Sequence, residues 1–266
     1  MIDNPGYLEN IYEFRIQNQK YRFAVRIPEN KTDRPVLLIA IATDWKTVFT
    51  NPVYNAIPNI FLSAGYNVAS FDLPNHGELV DEYGEGIQGW ANAISSGIDI
   101  FEKIRNVGSK IIDIALKENL AWKETVVMTG VSRGGFAAMH IMAYDRRVYA
   151  AAVFAPVTDL CALKEFRNHE KNEIVLLANA ENLVSKLADR FLFISIGEKD
   201  PRIDERKCFE FYAKLFAASK LIKPELFVLQ GQTHGESAST HAGYIACAGF
   251  LFNKISFRIN EKIRPG

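Results

Sequence analysis

Thr125-Val126-Val127-Met128-Thr129-Gly130-Val131-Ser132-Arg133-Gly134-Gly135 joins a β-rich apolar run to the start of a helix through a turn centred on serine. The apolar run closes at Gly130, and the small-residue segment Gly135-Phe136-Ala137-Ala138-Met139 opens the helix. Ser132 lies between them in a Gly-x-Ser-x-Gly pattern, a strand-turn-helix setting in which a nucleophilic serine can be held on a strained turn. Side chains two residues to either side of such a serine would collide with neighbouring backbone, so glycine is tolerated where a Cβ is not. Three fixed positions arise by chance in roughly one chain in ten of this length, so the flanking sequence has to carry the assignment.

Outward from this turn, strands and helices alternate. Val36 to Ala42 is a continuous apolar run, as expected for a central strand covered on both faces. Tyr66 to Asp72, Ala150 to Ala155, Phe191 to Ile196 and Leu226 to Leu229 are further strands, the first broken by Pro74 and the second by Pro156. Between them lie the end of a short helix at Asn59 to Ala64 and one long or broken amphipathic helix carrying Ile94, Ile98, Phe101, Ile104, Ile111, Ile112, Ala115 and Leu116. Helices are also predicted at Gly135 to Tyr144, Asp204 to Ala218 and His241 to Phe252. At the amino-terminal end, Tyr12 to Ile16 and Tyr21 to Ile27 alternate in polarity around Gln17 to Lys20, which predicts a hairpin. Thr43 to Pro58 reads as a long surface connection and Gly84 to Gly89 as a flexible glycine-rich link. Asp159 to Ala188 is helical in pattern and highly charged from Lys164 to Glu173, so residues 159–188 are the candidate cap or lid. The expected fold class is α/β: one domain over residues 1–266, with a mainly parallel central sheet, an N-terminal antiparallel hairpin, helices on both faces and a short helical cap.

Composition narrows the function. Lys plus Arg equals Asp plus Glu at 31 each, so there is no excess positive field to attract nucleic acid or anionic lipid. The first residues have no basic segment followed by an apolar one, and no apolar run is long enough to cross a bilayer. Cys161, Cys208 and Cys247 are odd in number and widely spaced in apolar surroundings, which suggests buried thiols rather than a disulfide framework or metal site. A soluble, cytoplasmic protein without metal or cofactor is expected.

A serine hydroxyl is a poor nucleophile at neutral pH and needs a base, which in turn needs a partner to fix its tautomer. Two loops supply these groups: Gly197-Glu198-Lys199-Asp200-Pro201, and Gln230-Gly231-Gln232-Thr233-His234-Gly235. In a parallel sheet both follow strand carboxyl ends, the edge on which the Ser132 turn sits. Asp200 has Glu198 and Asp159 as rivals, and His234 has His76, His140, His169 and His241. Of these, His140 reads as a helix residue, His169 as a solvated residue of the charged cap, His76 as a loop brace and His241 as the start of the closing helix.

The order Ser, Asp, His, with Gly130 to Gly135, Gly197 to Pro201, Thr233-His234-Gly235 and Asp72-Leu73-Pro74-Asn75-His76-Gly77, resembles the α/β-hydrolase superfamily, and within it the prolyl-oligopeptidase and acetyl-esterase-like branch. The resemblance implies Ser132 as nucleophile, His234 as general base and Asp200 as its orienting acid. It also implies an oxyanion hole made by the Arg133 amide and a second donor near Thr43 or Asp44, where many relatives carry His-Gly and this chain reads Ala42-Thr43-Asp44-Trp45. An Asp44 carboxylate there would repel an oxyanion unless turned away or paired. Trp45 is a candidate wall of the substrate pocket, with Phe49, Tyr54 and Trp90 as further aromatics. The implied activity is hydrolysis of a small-molecule carboxylic ester with a small or medium acyl chain. A peptidase, amidase or thioesterase of the same fold, and a non-catalytic binding protein, are the alternatives. Only about 35 residues precede the central strand, which favours the esterase over the peptidases with a large N-terminal domain.

Overall fold

A computed structural model of the chain describes residues 6–122, 125–231, 234 and 240–261. Its strands are β1 (Tyr7–Ile16), β2 (Gln19–Pro28), β3 (Leu37–Ile41), β4 (Asn67–Phe71), β5 (Val126–Val131), β6 (Val148–Phe154), β7 (Phe191–Gly197) and β8 (Glu225–Leu229). They form one sheet in the order β1-β2-β4-β3-β5-β6-β7-β8. The β1–β2 and β2–β4 pairings are antiparallel and every pairing from β4 onward is parallel, so the predicted hairpin leads a mainly parallel sheet.

Period-two alternation divides the core between two faces. Leu37, Ile39 and Ile41 of β3 pack on one side, Leu38 and Ala40 on the other, and all five are buried. The first side is covered by α3 (Gly86–Ser95), α4 (Ile100–Lys117), α5 (Arg133–Tyr144), the segment 160–187 and α8 (Glu205–Ala218). The second is covered by α1 (Trp45–Thr50), α2 (Pro52–Ser63) and α9 (His241–Glu261), which runs nine residues past the predicted end at Phe252. Burial on both faces is what a continuous apolar strand such as β3 requires.

Two expectations need correction. Thr43 to Pro58 is not a long connection: it holds α1 and the first half of α2. Asp44 caps α1 by accepting from the Thr47 amide at 2.9 Å, and Asn51 caps α2 by accepting from Val53 at 2.9 Å, with Pro52 in its first turn. Gly84 to Gly89 is packed, with α3 beginning at Gly86; a Cβ on Gly89 would lie 2.4 Å from the Gly84 carbonyl oxygen. Residues 159–188 are helical, as expected, in short separate pieces. Two of these are α6 (Glu173–Ala178) and α7 (Val184–Leu187), and Leu160, Leu163, Phe166, Val175, Leu183 and Leu187 anchor the segment in the core. The helical run from Ile94 to Leu116 is broken between α3 and α4, where Gly97 adopts φ +80.

The first turn of α5 lies against the end of β3. A Cβ on Gly134 would sit 2.0 Å from the Ile41 carbonyl oxygen and 2.8 Å from the Ala42 Cα, both rigid backbone atoms. Gly134→Ala is therefore expected to cost at least about 3 kcal/mol or prevent folding. Gly97→Ala, with nothing within 4 Å of the added methyl, should cost only about 1 kcal/mol for its positive φ. Urea unfolding of the two variants checks this, and equal losses would contradict it.

Candidate active site

Ser132 occupies the point where β5 turns into α5, with φ 55 and ψ −115. For a residue with a side chain this backbone is strained by roughly 1–3 kcal/mol and persists only where neighbours impose it. Its amide donates to the Phe154 carbonyl at 2.8 Å, and its carbonyl accepts from Phe136 at 3.0 Å and Val157 at 3.3 Å. A Cβ on Gly130 would lie 2.3 Å from the Gly134 carbonyl oxygen, so the glycines on either side let strand and helix close around the serine.

Asp200 follows β7 and is buried, with 1% of its surface exposed. Its Oδ1 accepts from the amides of Arg202 at 2.9 Å and Ile203 at 3.3 Å, and its Oδ2 accepts from His234 Nδ1 at 2.7 Å. A carboxylate can only accept, so Nδ1 carries the proton and the neutral imidazole has its basic nitrogen at Nε2. Ser132, Asp200 and His234 thus follow β5, β7 and β8, parallel strands whose carboxyl ends share one edge. Thr233 and Gly235, the flanking residues of the histidine motif, lie outside the described residues, as does Gln232.

At the carboxyl end of β3 the backbone donors divide. The Trp45 amide is committed to Asp72 Oδ1 at 3.0 Å and the Thr47 amide to Asp44 Oδ1. Among the described residues the Thr43 and Asp44 amides donate to no acceptor. Asp44 Oδ2 accepts from the Thr43 hydroxyl at 3.0 Å. Burial raises the Asp44 pKa, but hydrogen bonds from Thr47 and Thr43 and the nearby His76 outweigh it and hold the carboxyl below its usual value. The carboxylate is therefore paired within the cap of α1.

The Asp72 to Gly77 turn supports this corner. Asp72 Oδ2 also accepts from the Glu78 amide at 2.8 Å, and a Cβ on Gly77 would press 2.9 Å from the Asp44 Cβ. His76 Nδ1 donates to the Pro74 carbonyl at 2.8 Å, which leaves Nε2 to accept from Arg133 Nη1 at 2.8 Å. His76 thus braces the residue after the serine, a contact that spans 57 positions of sequence.

The remaining candidates have local partners. Glu198 accepts from the Gly231 amide at 2.9 Å, and Asp159 accepts from the Cys161 amide at 2.9 Å and from Asn179 at 3.2 Å. His140 is buried in α5 and donates from Nε2 to the Ala178 carbonyl at 2.9 Å. His169 is not solvated as expected; its Nε2 lies 2.8 Å from the Ser95 hydroxyl. Glu165 likewise departs from the solvated face expected of Lys164 to Glu173, turning in to pair with Arg202 at 2.8 Å. His241 begins α9. Trp90 is fully buried and stacks edge-on with His76 and Phe101, and Phe49 is also buried, whereas Trp45 and Tyr54 stay partly exposed. The Arg202–Glu165 pair is the feature the sequence did not reveal, since nothing in its spacing links the two loops.

Burial pushes the His76 pKa down to about 4, with the Arg133 charge lowering it further and the Pro74 hydrogen bond and Asp44 opposing. Burial and the Arg105 charge push His140 down to about 3, against the Ala178 hydrogen bond. Both histidines fold neutral, so below the ordinary value near 6.5 the unfolded chain binds more protons and stability falls with pH. At pH 5 this is on the order of 2 kcal/mol per histidine relative to pH 7. NMR titration of the imidazoles should show neither protonating between pH 7 and 5, and a midpoint above 6 for either would contradict the assignment.

No curated protein sequence matches the chain. Among solved structures, its fold is similar to that of Porphyromonas gingivalis dipeptidyl peptidase 4, at 16% identity and TM-score 0.68 over 93% of this chain and 35% of that one. It is also similar to a cold-adapted esterase from an Arctic intertidal metagenomic library, at 14% identity and TM-score 0.67 over 94% of both chains. Pyrococcus horikoshii acylaminoacyl peptidase gives 14% identity and TM-score 0.69 over 94% of this chain and 41% of that one. The chain thus spans about a third of the dipeptidyl peptidase and about two fifths of the acylaminoacyl peptidase. A sequence model of the prolyl oligopeptidase family matches residues 109–255, more than half of the 266 residues, from within α4 through the serine turn and both partner loops into α9. The chain belongs to the prolyl oligopeptidase family and is a serine hydrolase with the α/β-hydrolase fold.

Proposed function

We propose that the chain hydrolyses a carboxylic ester with a small or medium acyl chain, through an acyl-enzyme on Ser132. The observation that carries this reading is the 2.7 Å bond from His234 Nδ1 to the buried Asp200, on the sheet edge that holds the strained Ser132 turn. In the first half-reaction Ser132 Oγ attacks the acyl carbon, His234 Nε2 takes the hydroxyl proton, and Asp200 stabilises the imidazolium. The same proton passes to the leaving alkoxide as the carbon–oxygen bond breaks. Water then repeats the sequence, with His234 as base and then acid, and releases the carboxylic acid and free Ser132.

The Arg133 amide, in the first turn of α5, is one oxyanion donor, since initial helical amides have no acceptor within the helix. The second is the Thr43 or Asp44 amide. The contact of Gly134 with Ile41 and Ala42 brings that segment beside the serine turn. With its carboxylate held by Thr43 and Thr47, Asp44 can offer an amide with its charge already engaged. Trp45, next in sequence and partly exposed, forms part of the acyl pocket. Residues 159–188 act as a cap, through which Glu165 reaches Arg202 beside Asp200.

Ester rather than amide chemistry is supported by the match to the esterase over nearly the full length of both chains. The dipeptidyl and acylaminoacyl peptidases favour the amide reading, so the two are compared directly with p-nitrophenyl acyl esters and aminoacyl p-nitroanilides. The expected result is a higher kcat/KM on the esters; a higher value on the anilides overturns the ester assignment. A fluorophosphonate probe should label the wild type and not Ser132→Ala. Asp200→Asn should lower kcat by on the order of 10³ to 10⁴ with folding retained, because the imidazole would take the wrong tautomer. Equal labelling of Ser132→Ala, or a loss under tenfold in Asp200→Asn, would contradict the assigned roles.

A further inference from the structure

Arg133 is the residue whose side chain the hydrolytic cycle leaves without a task. Most other partly buried arginines meet a carboxylate: Arg26 with Glu9, Arg105 with Asp99, Arg147 with Asp113 and Asp145, and Arg202 with Glu165. The buried Arg190 instead places two guanidinium nitrogens on the carbonyls of Met142 and Val148. Arg133 has neither arrangement. Its one hydrogen bond among the described residues runs from Nη1 to His76 Nε2, a neutral acceptor whose ring is fixed by Pro74. The guanidinium is partly buried, lies in the field of Glu165 without bonding to it, and keeps further donors that no described residue fills, so an anion entering the site can meet them. Burial, with the charge of Arg202, pushes its pKa below the ordinary value, opposed by Glu165. Arg202 is rooted two residues after Asp200 and pairs with Glu165 at 2.8 Å, so the Glu165 carboxylate is already bonded to Arg202 and not to Arg133.

We infer that the Arg133 guanidinium is a specificity-determining group that binds a carboxylate on the acyl part of the substrate, a short spacer away from the scissile carbonyl. The inference rests on the hydrolase reading above and names the substrate class of the same site. The acyl side is favoured because the amide of this same residue holds the acyl oxygen, and the acyl group stays attached to the adjacent Ser132 after the leaving group departs. A bidentate guanidinium–carboxylate contact gives both attraction and orientation.

The test compares monomethyl glutarate with dimethyl glutarate by pH-stat. Wild type should prefer the charged ester at least tenfold in kcat/KM. Arg133→Gln should bring that ratio to within about twofold of unity, mainly through KM on the charged ester, and Arg133→Lys should retain part of it. A reactive wild type with no preference, or an unchanged ratio in Arg133→Gln, overturns the inference. Glutarate binding to Ser132→Ala, measured by calorimetry against glutaramide, needs no turnover. Binding of glutarate alone, lost when Arg133→Gln is added, supports the inference; no binding, or equal binding of both, overturns it. If glutarate binds while fluorophosphonate fails to label the wild type, the hydrolase reading fails and the carboxylate site stands.

Discussion

The close approach of α5 to the carboxyl end of β3 is the constraint from which the rest of the site follows. Gly134 lies so near the Ile41 carbonyl that no Cβ fits, and a Cβ on Gly130 would likewise strike the Gly134 carbonyl. With strand and helix pressed together, Ser132 is forced into φ 55 and ψ −115, and the same contact sets the first amides of α5 beside the Thr43–Asp44 segment. One packing restriction thus positions the serine and gathers the main-chain donors around it. Its strain is offset by the sheet, in which β3 and β5 are buried central strands.

Around this contact the polar groups form a supporting shell. Asp72 holds the Trp45 and Glu78 amides, Asp44 holds Thr43 and Thr47, and His76 links the Pro74 carbonyl to Arg133. Burial raises the Asp72 pKa, while the two amide hydrogen bonds oppose it. On the other side Asp200 is fixed by two amides of its own loop before it meets His234. Asp44, Asp72 and Asp200 each accept with both carboxylate oxygens, while the Arg133 guanidinium keeps donors that no described residue fills. An acidic acyl group would meet them.

The alternating strands and the serine turn were legible because their signals are local. β3 is a continuous apolar run, and Gly130-Val131-Ser132-Arg133-Gly134 needs only adjacent residues to show its turn. Asp200 and His234 could be named because parallel strands bring their carboxyl ends to one edge, although the turn on either side of His234 lies outside the described residues. Short helices were not legible. α1 has six residues, too few for a periodic pattern, and Asn51-Pro52 looks like a loop until its capping bond is seen. The partners of polar side chains were also hidden: whether the Asp44 carboxylate is paired was open until its N-cap bonds were seen, and His169 read as solvated meets Ser95. Such contacts join residues as far apart as His76 and Arg133, and no spacing rule encodes them.

The most direct measurement is a crystal structure of the protein after reaction with a phosphonate ester. The expected result is a covalent adduct on Ser132 Oγ, with a phosphonyl oxygen about 2.7–3.1 Å from the Arg133 amide and from the Thr43 or Asp44 amide. Attachment at another residue, or a phosphonyl oxygen turned to solvent with neither amide in reach, would contradict it.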